Sequence, residues 1–254
     1  MKMNDLNINN FRDISGYANE DGKLMKKNRI FRGASLHNIS NQDAEYLYKN
    51  LGIKYILDYR DEKEALSKKD IYTNDMIYER ISALIIKNDK FQGFDFGELL
   101  SKEMDENNLH FMMDYLMEGY ENMPFNNPAY HKLFELLIKN EGNVYFHCSA
   151  GKDRTGLGAF LVMIALGVSE KDCINEYLLS NNYLKTFVET FYKENKISME
   201  LKEYANELLY VNEKYIKISI AKIKEKYHDY YEFLKKEYGI DEEKRSILKS
   251  IYCE

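Results

Sequence analysis

The stretch VYFHCSAGKDRTGLGAFLVMIALG, residues 144–167, decides the fold. It opens with an apolar run of strand length, continues through a polar loop of mostly small residues, and ends in an apolar run of helix length. A buried strand that leads directly into a buried helix is typical of α/β proteins with parallel strands. The loop lies at the carboxyl end of the strand, where open α/β sheets bind their ligands.

The rest of the sequence favours the same class. Strands are predicted within 11–35 as a small β-element, at 53–59, at 77–86 and at 144–146. Helices are predicted to begin after the capping residues Ser40, Asn127 and Ser169. Residues 91–97 have the glycine and aromatic content of a surface loop. We therefore expect an α/β fold with a central, mostly parallel sheet flanked by helices.

The C-terminal part reads as helical throughout. From about Ile197, apolar residues at helical spacing predict two or three amphipathic helices, with Gly239 separating the last two. A chain of 254 residues is within the size that one hydrophobic core supports. We therefore expect a single domain over 1–254, in which 185–254 is a helical extension packed on the rest. A lid over the loop is the alternative role for this extension.

Composition excludes several classes of protein. Hydrophobic residues make up 44% and charged residues 31%, a balance typical of globular chains. A net charge of −6 argues against nucleic-acid binding, because phosphate backbones require a basic surface. Three cysteines and no apolar stretch of membrane-spanning length predict a cytoplasmic protein without stable membrane insertion.

The strongest chemical signal is the pair Cys148 and Arg154 in the loop. The small residues 149–151 allow the backbone to curl, so that successive N–H groups point inward at the positive end of the following helix. Arg154 adds a planar guanidinium that binds two phosphoryl oxygens at once. The sequence thus predicts a preformed anion pocket with Cys148 as a thiolate at its base.

HCSAGKDRTG, residues 147–156, resembles the signature loop of bacterial cysteine-dependent protein tyrosine and dual-specificity phosphatases, a family that includes lipid-active members. Four further segments resemble the same family: NFRDISGY at 10–17, RIFRGASL at 29–36, LGIKYILDYRDEKE at 51–64 and EYLLSNNY at 176–183. These segments follow one another in the same order as in the family, over roughly the first 185 residues. The resemblance is weakest over 65–127.

The resemblance implies a two-step reaction that needs no metal and no cofactor. Cys148 would attack phosphorus to give a cysteinyl-phosphate, which water then hydrolyses. Thr155 would donate a hydrogen bond to the Cys148 sulfur, and His147 would brace the loop from beneath. The phosphate group would be held by the loop residues Ser149, Ala150, Gly151, Lys152, Asp153 and Arg154.

The general acid is less well defined, because four aspartates are candidates. Asp153 lies in the signature loop and is the first candidate. Asp58, at the end of the predicted strand 53–59, is the second, and Asp89 and Asp95 in the region without clear pattern are the others. Lys152 is expected to add positive charge at the pocket mouth, which would suit substrates that carry further phosphates.

The expected function is hydrolysis of phosphotyrosine in proteins, with phosphoserine and phosphothreonine as further substrates. An alternative enzyme is a phosphoinositide or phospholipid phosphatase, which Lys152 favours. A third hypothesis is a non-catalytic module that binds phosphopeptides. The partner is accordingly a phosphorylated protein or a phosphoinositide. Cys173 and Cys253 are interpreted as inert.

Overall fold

A five-stranded sheet forms the centre of the protein in the computed structural model, which describes residues 6–91, 105–194 and 198–254. Its strands are β1 (Arg12–Asp13), β2 (Ile30–Gly33), β3 (Ile53–Asp58), β4 (Ile77–Arg80) and β5 (Asn143–His147). The order across the sheet is β1-β2-β5-β3-β4. Only the edge pair β1–β2 is antiparallel, and the other neighbours are parallel. The predicted fold class is confirmed.

The described helices surround this sheet. They are α1 (Asn41–Lys49), α2 (Glu62–Ser67), α3 (Glu106–Asn122), α4 (Pro128–Lys139), α5 (Asp153–Ala165), α6 (Glu170–Leu178), α7 (Ser180–Glu194), α8 (Lys202–Leu209), α9 (Glu213–Lys226), α10 (Tyr230–Tyr238) and α11 (Glu242–Tyr252). The side chains of Ser40, Asn127 and Ser169 each accept a backbone N–H bond at the start of α1, α4 and α6, as predicted. None of these helices has the length and apolarity to cross a lipid bilayer.

Apolar side chains cover both faces of the sheet. On one face, Leu47 of α1 belongs to a cluster with Ile56 and Tyr145. On the other face, Leu57 and Phe146 belong to a larger cluster built with α4, α5 and the C-terminal helices. Successive residues of a strand point to opposite faces, so the central residues of β3 and β5 are mostly apolar on both faces. This burial explains why both segments read as mostly apolar runs.

Several predictions along the chain need correction. The strand predicted at 77–86 ends at Arg80. Phe91, predicted to begin a surface loop, is 3% exposed in a 3₁₀ turn that spans Asp89–Phe91, and residues 92–97 lie outside the described residues. The C-terminal part forms four helices, α8–α11, rather than two or three, although Gly239 does separate the last two. Helices α2 and α3 were not predicted.

The sheet and helices bring the carboxyl ends of three strands together. His147 at the end of β5 pairs with Gly33 at the end of β2 and with Asp58 at the end of β3. The signature loop leaves the sheet at this edge, and α5 begins at Asp153. The segments 29–36, 51–64 and 147–156, which resemble the same family, are therefore neighbours in space.

Candidate active site

The loop 148–152 curls so that its carbonyl groups face outward. Four consecutive carbonyls bond to groups outside the loop: Ser149 to the N–H of Ser35 (3.2 Å), Ala150 and Gly151 to the side-chain amide of Asn10 (3.2 and 2.8 Å), and Gly151 and Lys152 to Arg32 (2.8 and 3.4 Å). In a trans peptide the N–H group points opposite to the carbonyl. The amides of residues 150–153 therefore face the inside of the loop, as an anion-binding nest requires.

Gly151 makes this curl possible. Its φ is +66°, a left-handed conformation that glycine adopts without strain. A Cβ atom at this position would lie 2.1 Å from the carbonyl oxygen of Gly33. The loop thus packs directly on the end of β2, and any side chain at this position would push it off the sheet.

Arg154 extends from the first turn of α5 and is held by Glu64 of α2. Its Nη1 and Nη2 donate to the two carboxylate oxygens at 2.5 and 2.8 Å, and the hydroxyl of Ser149 donates to the same carboxylate at 2.6 Å. These bonds use the outer end of the guanidinium, so the edge formed by Nε and the second hydrogen of Nη2 stays available for phosphoryl oxygens. Glu64 therefore orients Arg154 without occupying all of its donors.

Electrostatics keep this pair charged. Burial acts to raise the pKa of Glu64, but the guanidinium of Arg154 outweighs it and holds that pKa well below its usual range. Burial likewise acts to lower the pKa of Arg154, while the charges of Glu64 and Cys148 raise it above its ordinary value. The guanidinium is thus positively charged next to the loop that carries Cys148.

A buried ionic network lies beneath the loop. The side chains of Asp58, Asp70 and His147 are each 0% exposed, and Nε2 of His147 lies 3.1 Å from Oδ2 of Asp70. Nδ1 of His147 lies 3.2 Å from the carbonyl oxygen of Cys148, which is the contact that a bracing role requires. Burial acts to lower the pKa of His147, but Asp58 and Asp70 outweigh it and raise that pKa.

The same three residues are close enough to suggest a metal site, since their ligand atoms lie within 4.8 Å of one another. The guanidinium of Arg60 already fills the space between the carboxylates: its Nη2 lies 2.7 Å from Oδ2 of Asp58 and 2.7 Å from Oδ2 of Asp70. A metal cation at this position would meet a fixed positive charge. The donor set therefore does not fit a metal.

Asp58 is fully buried in this network. Besides Arg60, its carboxylate accepts a 2.6 Å bond from the hydroxyl of Tyr78. Burial acts to raise the pKa of Asp58, but His147 and Arg60 lower it below its ordinary value. A fully buried carboxylate that is kept ionised by cations is poorly suited to donate a proton, so this geometry does not support the acid role predicted for Asp58.

Asp153, the first predicted acid, lies at the loop and is 17% exposed. Its Oδ1 accepts a 2.9 Å bond from the hydroxyl of Tyr120, and its Oδ2 lies 3.3 Å from Nζ of Lys152. Of the remaining candidates, Asp89 lies in the 3₁₀ turn before the gap in the described residues, and Asp95 lies outside them.

The side chain of Lys152 is not at the pocket mouth, and that expectation is wrong. The residue is 8% exposed, and its ammonium donates to the carbonyl of Leu208 at 2.5 Å, with the carbonyl of Tyr210 at 3.4 Å. Both carbonyls lie at the C-terminal end of α8, where unpaired carbonyls and the helix dipole attract a cation. Lys152 thus joins the loop to the C-terminal helices, and only its backbone faces the nest.

Thr155 follows Arg154 in α5, and its Oγ1 is buried with no hydrogen-bond partner among the described residues. The predicted bond from this hydroxyl to the Cys148 sulfur is therefore not formed in this structure. Cys148 itself is 2% exposed and directly follows β5.

Sequence reasoning missed Arg32 and Glu176, which hold the loop from outside. Glu176 of α6 accepts 2.6 Å bonds from Arg12 and from Arg32, and Arg32 in turn bonds to Gly151. Burial, followed by the charge of Arg12, lowers the pKa of Arg32 to about 10. Arg12, Arg32 and Glu176 lie in the segments 10–17, 29–36 and 176–183. These segments were therefore recognised in the sequence, but their pattern does not show that these three side chains support the loop.

Comparison with known proteins gives a consistent result. A model of the tyrosine phosphatase family matches residues 5–254. A protein of Cupriavidus necator, provisionally named a tyrosine-protein phosphatase, is 27% identical over 183 residues, which cover 72% of this chain and 64% of the relative. A tyrosine-protein phosphatase of Nostoc commune is 28% identical over 158 residues, covering 61% of this chain and 49% of the relative.

A third relative is the triple specificity protein phosphatase PtpB of Mycobacterium tuberculosis, which is 26% identical over 196 residues. The match covers 68% of this chain and 67% of that protein. The matched part of the chain thus spans 49% to 67% of the length of these three relatives.

Proposed function

Because the chain belongs to the tyrosine phosphatase family, we propose that it hydrolyses phosphotyrosine in proteins through a cysteinyl-phosphate, with phosphoserine and phosphothreonine as further substrates. The observation that carries the proposal is the loop itself, in which four outward carbonyls turn the amides of 150–153 inward beside a charged Arg154. Such a nest fits a tetrahedral dianion.

In the first step, the Cys148 thiolate attacks phosphorus, and a sulfur–phosphorus bond forms while the bond to the leaving oxygen breaks. Asp153 donates a proton to that oxygen, which departs as a neutral alcohol or phenol. The free edge of Arg154 and the inward amides stabilise the charge on the equatorial oxygens. In the second step, water gives a proton to Asp153 and attacks phosphorus, and the Cys148 thiolate leaves.

Thr155 acts in the second step of this proposal. Its buried hydroxyl has no hydrogen-bond partner among the described residues, so its proton is available for donation to the departing sulfur. His147 acts only through the loop, by fixing the carbonyl of Cys148.

Replacing Asp153 by asparagine tests the assignment of the acid. We expect kcat to fall by about 10²-fold or more for alkyl or unactivated aryl phosphates, since general acid catalysis is worth that much. For an aryl phosphate with a strongly acidic phenol, which leaves without a proton, we expect a fall of less than about tenfold. The measurement is kcat for both substrates, with Asp89→Asn as the matched control. Equal losses on both substrates would remove Asp153 from this role.

A substrate panel tests the protein specificity. We expect phosphotyrosyl peptides to be hydrolysed with a higher kcat/KM than phosphatidylinositol phosphates in vesicles, because the ammonium of Lys152 is bound to the end of α8 and does not attract further phosphates. Hydrolysis of the lipids alone would contradict the proposal. Binding of peptides without any turnover would identify a phosphopeptide-binding module instead.

The C-terminal helices are part of this proposal. Ala150 of the loop packs against a cluster formed by Leu184 and Val188 of α7 with Ala205 and Leu209 of α8. We propose that 185–254 belongs to the same domain as the sheet, and that α7 and α8 act as a lid that limits the shape of the substrate. The three cysteines are free, which supports a reducing, cytoplasmic location.

A further inference from the structure

A buried chain of tyrosine hydroxyls leads to Asp153. The hydroxyl of Tyr120, from α3, lies 2.9 Å from Oδ1 of Asp153 and 2.8 Å from the hydroxyl of Tyr177, from α6. Both tyrosines are 0% exposed, whereas Asp153 is 17% exposed. One carboxyl oxygen of Asp153 is thus bonded to a buried hydroxyl, although the Asp153 side chain is partly exposed at the loop.

The direction of the two hydrogen bonds follows from the number of hydroxyl protons that are available. A carboxylate oxygen only accepts, so Tyr120 donates its single proton to Asp153. The proton between the two hydroxyls must then come from Tyr177. Burial, followed by the charge of Asp153, raises the pKa of both tyrosines well above the ordinary value. Both hydroxyls therefore remain protonated donors over the working pH range.

We propose that Tyr120, supported by Tyr177, is a positioning residue that holds the carboxyl group of Asp153 for proton transfer to the leaving oxygen. The inference rests on the proposed function, in which Asp153 is the general acid. Because Oδ1 accepts the bond from Tyr120, the transferable proton resides on Oδ2. After the transfer, Tyr120 and the ammonium of Lys152 stabilise the carboxylate.

The ring of Tyr120 is itself fixed in place. It stacks on Tyr215 of α9 with ring centroids 5.7 Å apart, and it meets the edge of Tyr177 at 6.5 Å. An acid held by a packed ring keeps one rotamer, and this lowers the entropy lost on reaching the transition state. The charged and titratable groups that face Asp153 are Lys152 and Arg154 from its own segment, Tyr120 from α3, Tyr177 from α6 and Tyr215 from α9.

The test compares Tyr120→Phe with Tyr252→Phe. The hydroxyl of Tyr252 is buried and donates to the carbonyl of Leu137 at 2.9 Å, so its removal controls for the loss of a buried, bonded hydroxyl away from the loop. We expect Tyr120→Phe to lower kcat by about tenfold for a substrate with a poor leaving group and by less than about twofold for one with a good leaving group. Tyr252→Phe should leave both values unchanged.

The dependence of kcat on the leaving group separates positioning from a structural role. A general structural loss lowers kcat for both substrates alike, whereas a misplaced acid lowers it mainly for the poor leaving group. Tyr177→Phe should act in the same direction as Tyr120→Phe, with a smaller loss. Equal losses of kcat for both substrates would overturn the inference.

A double-mutant cycle separates the failure of this inference from that of the proposed function. In the Asp153→Asn background, Tyr120→Phe should cause less than about a twofold further loss, because the two residues act as a unit. If Asp153→Asn discriminates between leaving groups and Tyr120→Phe does not, the acid assignment stands and the inference is wrong. If Asp153→Asn itself does not discriminate, the proposed acid fails, and the inference with it.

Discussion

Cys148→Ser is expected to abolish turnover of aryl phosphates and phosphotyrosyl peptides, with kcat lower by about 10⁴- to 10⁶-fold. A serine hydroxyl is almost entirely protonated at neutral pH, and His147 is not oriented to act as its base, because it faces the carbonyl of Cys148 and the carboxylate of Asp70. The inward amides and Arg154 do not depend on the sulfur. The variant should therefore still bind phosphate or a phosphopeptide.

The control for this prediction is Cys173→Ser. Cys173 is 1% exposed in α6, and burial, followed by the charge of Glu176, raises the pKa of its thiol. The turnover of the Cys173→Ser variant should match that of the unchanged protein. Full activity of Cys148→Ser, or loss of activity in Cys173→Ser without loss of folded protein, would contradict the assignment of the nucleophile. Phosphate binding is measured by calorimetry and folding by thermal unfolding.

Arg154→Lys should lower kcat/KM by about 10²- to 10³-fold, which corresponds to about 2.7–4 kcal/mol of transition-state stabilisation. The guanidinium binds Glu64 with one edge and has a second edge for two phosphoryl oxygens. An ammonium group has no such fork and is drawn to Glu64, so it cannot replace the second edge. Charge alone is therefore insufficient in this position.

The matched control is Arg245→Lys, at a residue of α11 that bonds to Glu20 and to the carbonyl of Ala165. This variant should retain full activity, because it changes the same chemistry away from the loop. If Arg154→Lys works at a rate near that of the unchanged protein, the two-edged role of Arg154 is wrong.

The strand, loop and helix around Cys148 were predictable because their sequence signals are local. Capping side chains act within a few residues, and a strand buried on both faces is mostly apolar. The inward turn of the amides also follows from a local constraint, since Gly151 has a φ of +66°, which glycine adopts without strain.

What escaped sequence reasoning depends on contacts between distant segments. Lys152 was expected at the pocket mouth because a charged residue near an anion site is usually exposed, but it binds the end of α8, more than 50 residues away in sequence. Tyr120 lies within 65–127, the part of the chain with the weakest pattern, and a tyrosine on an amphipathic helix gives no indication that its hydroxyl meets a carboxylate. Such pairings are decided by tertiary packing rather than by local preference.

The central claim of the account is that phosphate is transferred to the sulfur of Cys148. The most direct measurement is rapid acid quenching of the unchanged protein during turnover of a phosphotyrosyl peptide, followed by mass spectrometry of its proteolytic peptides. The account predicts one phosphoryl group, located on Cys148 and absent from Cys148→Ser. Turnover that proceeds with no phosphorylated protein, or with the phosphoryl group on another residue, would contradict it.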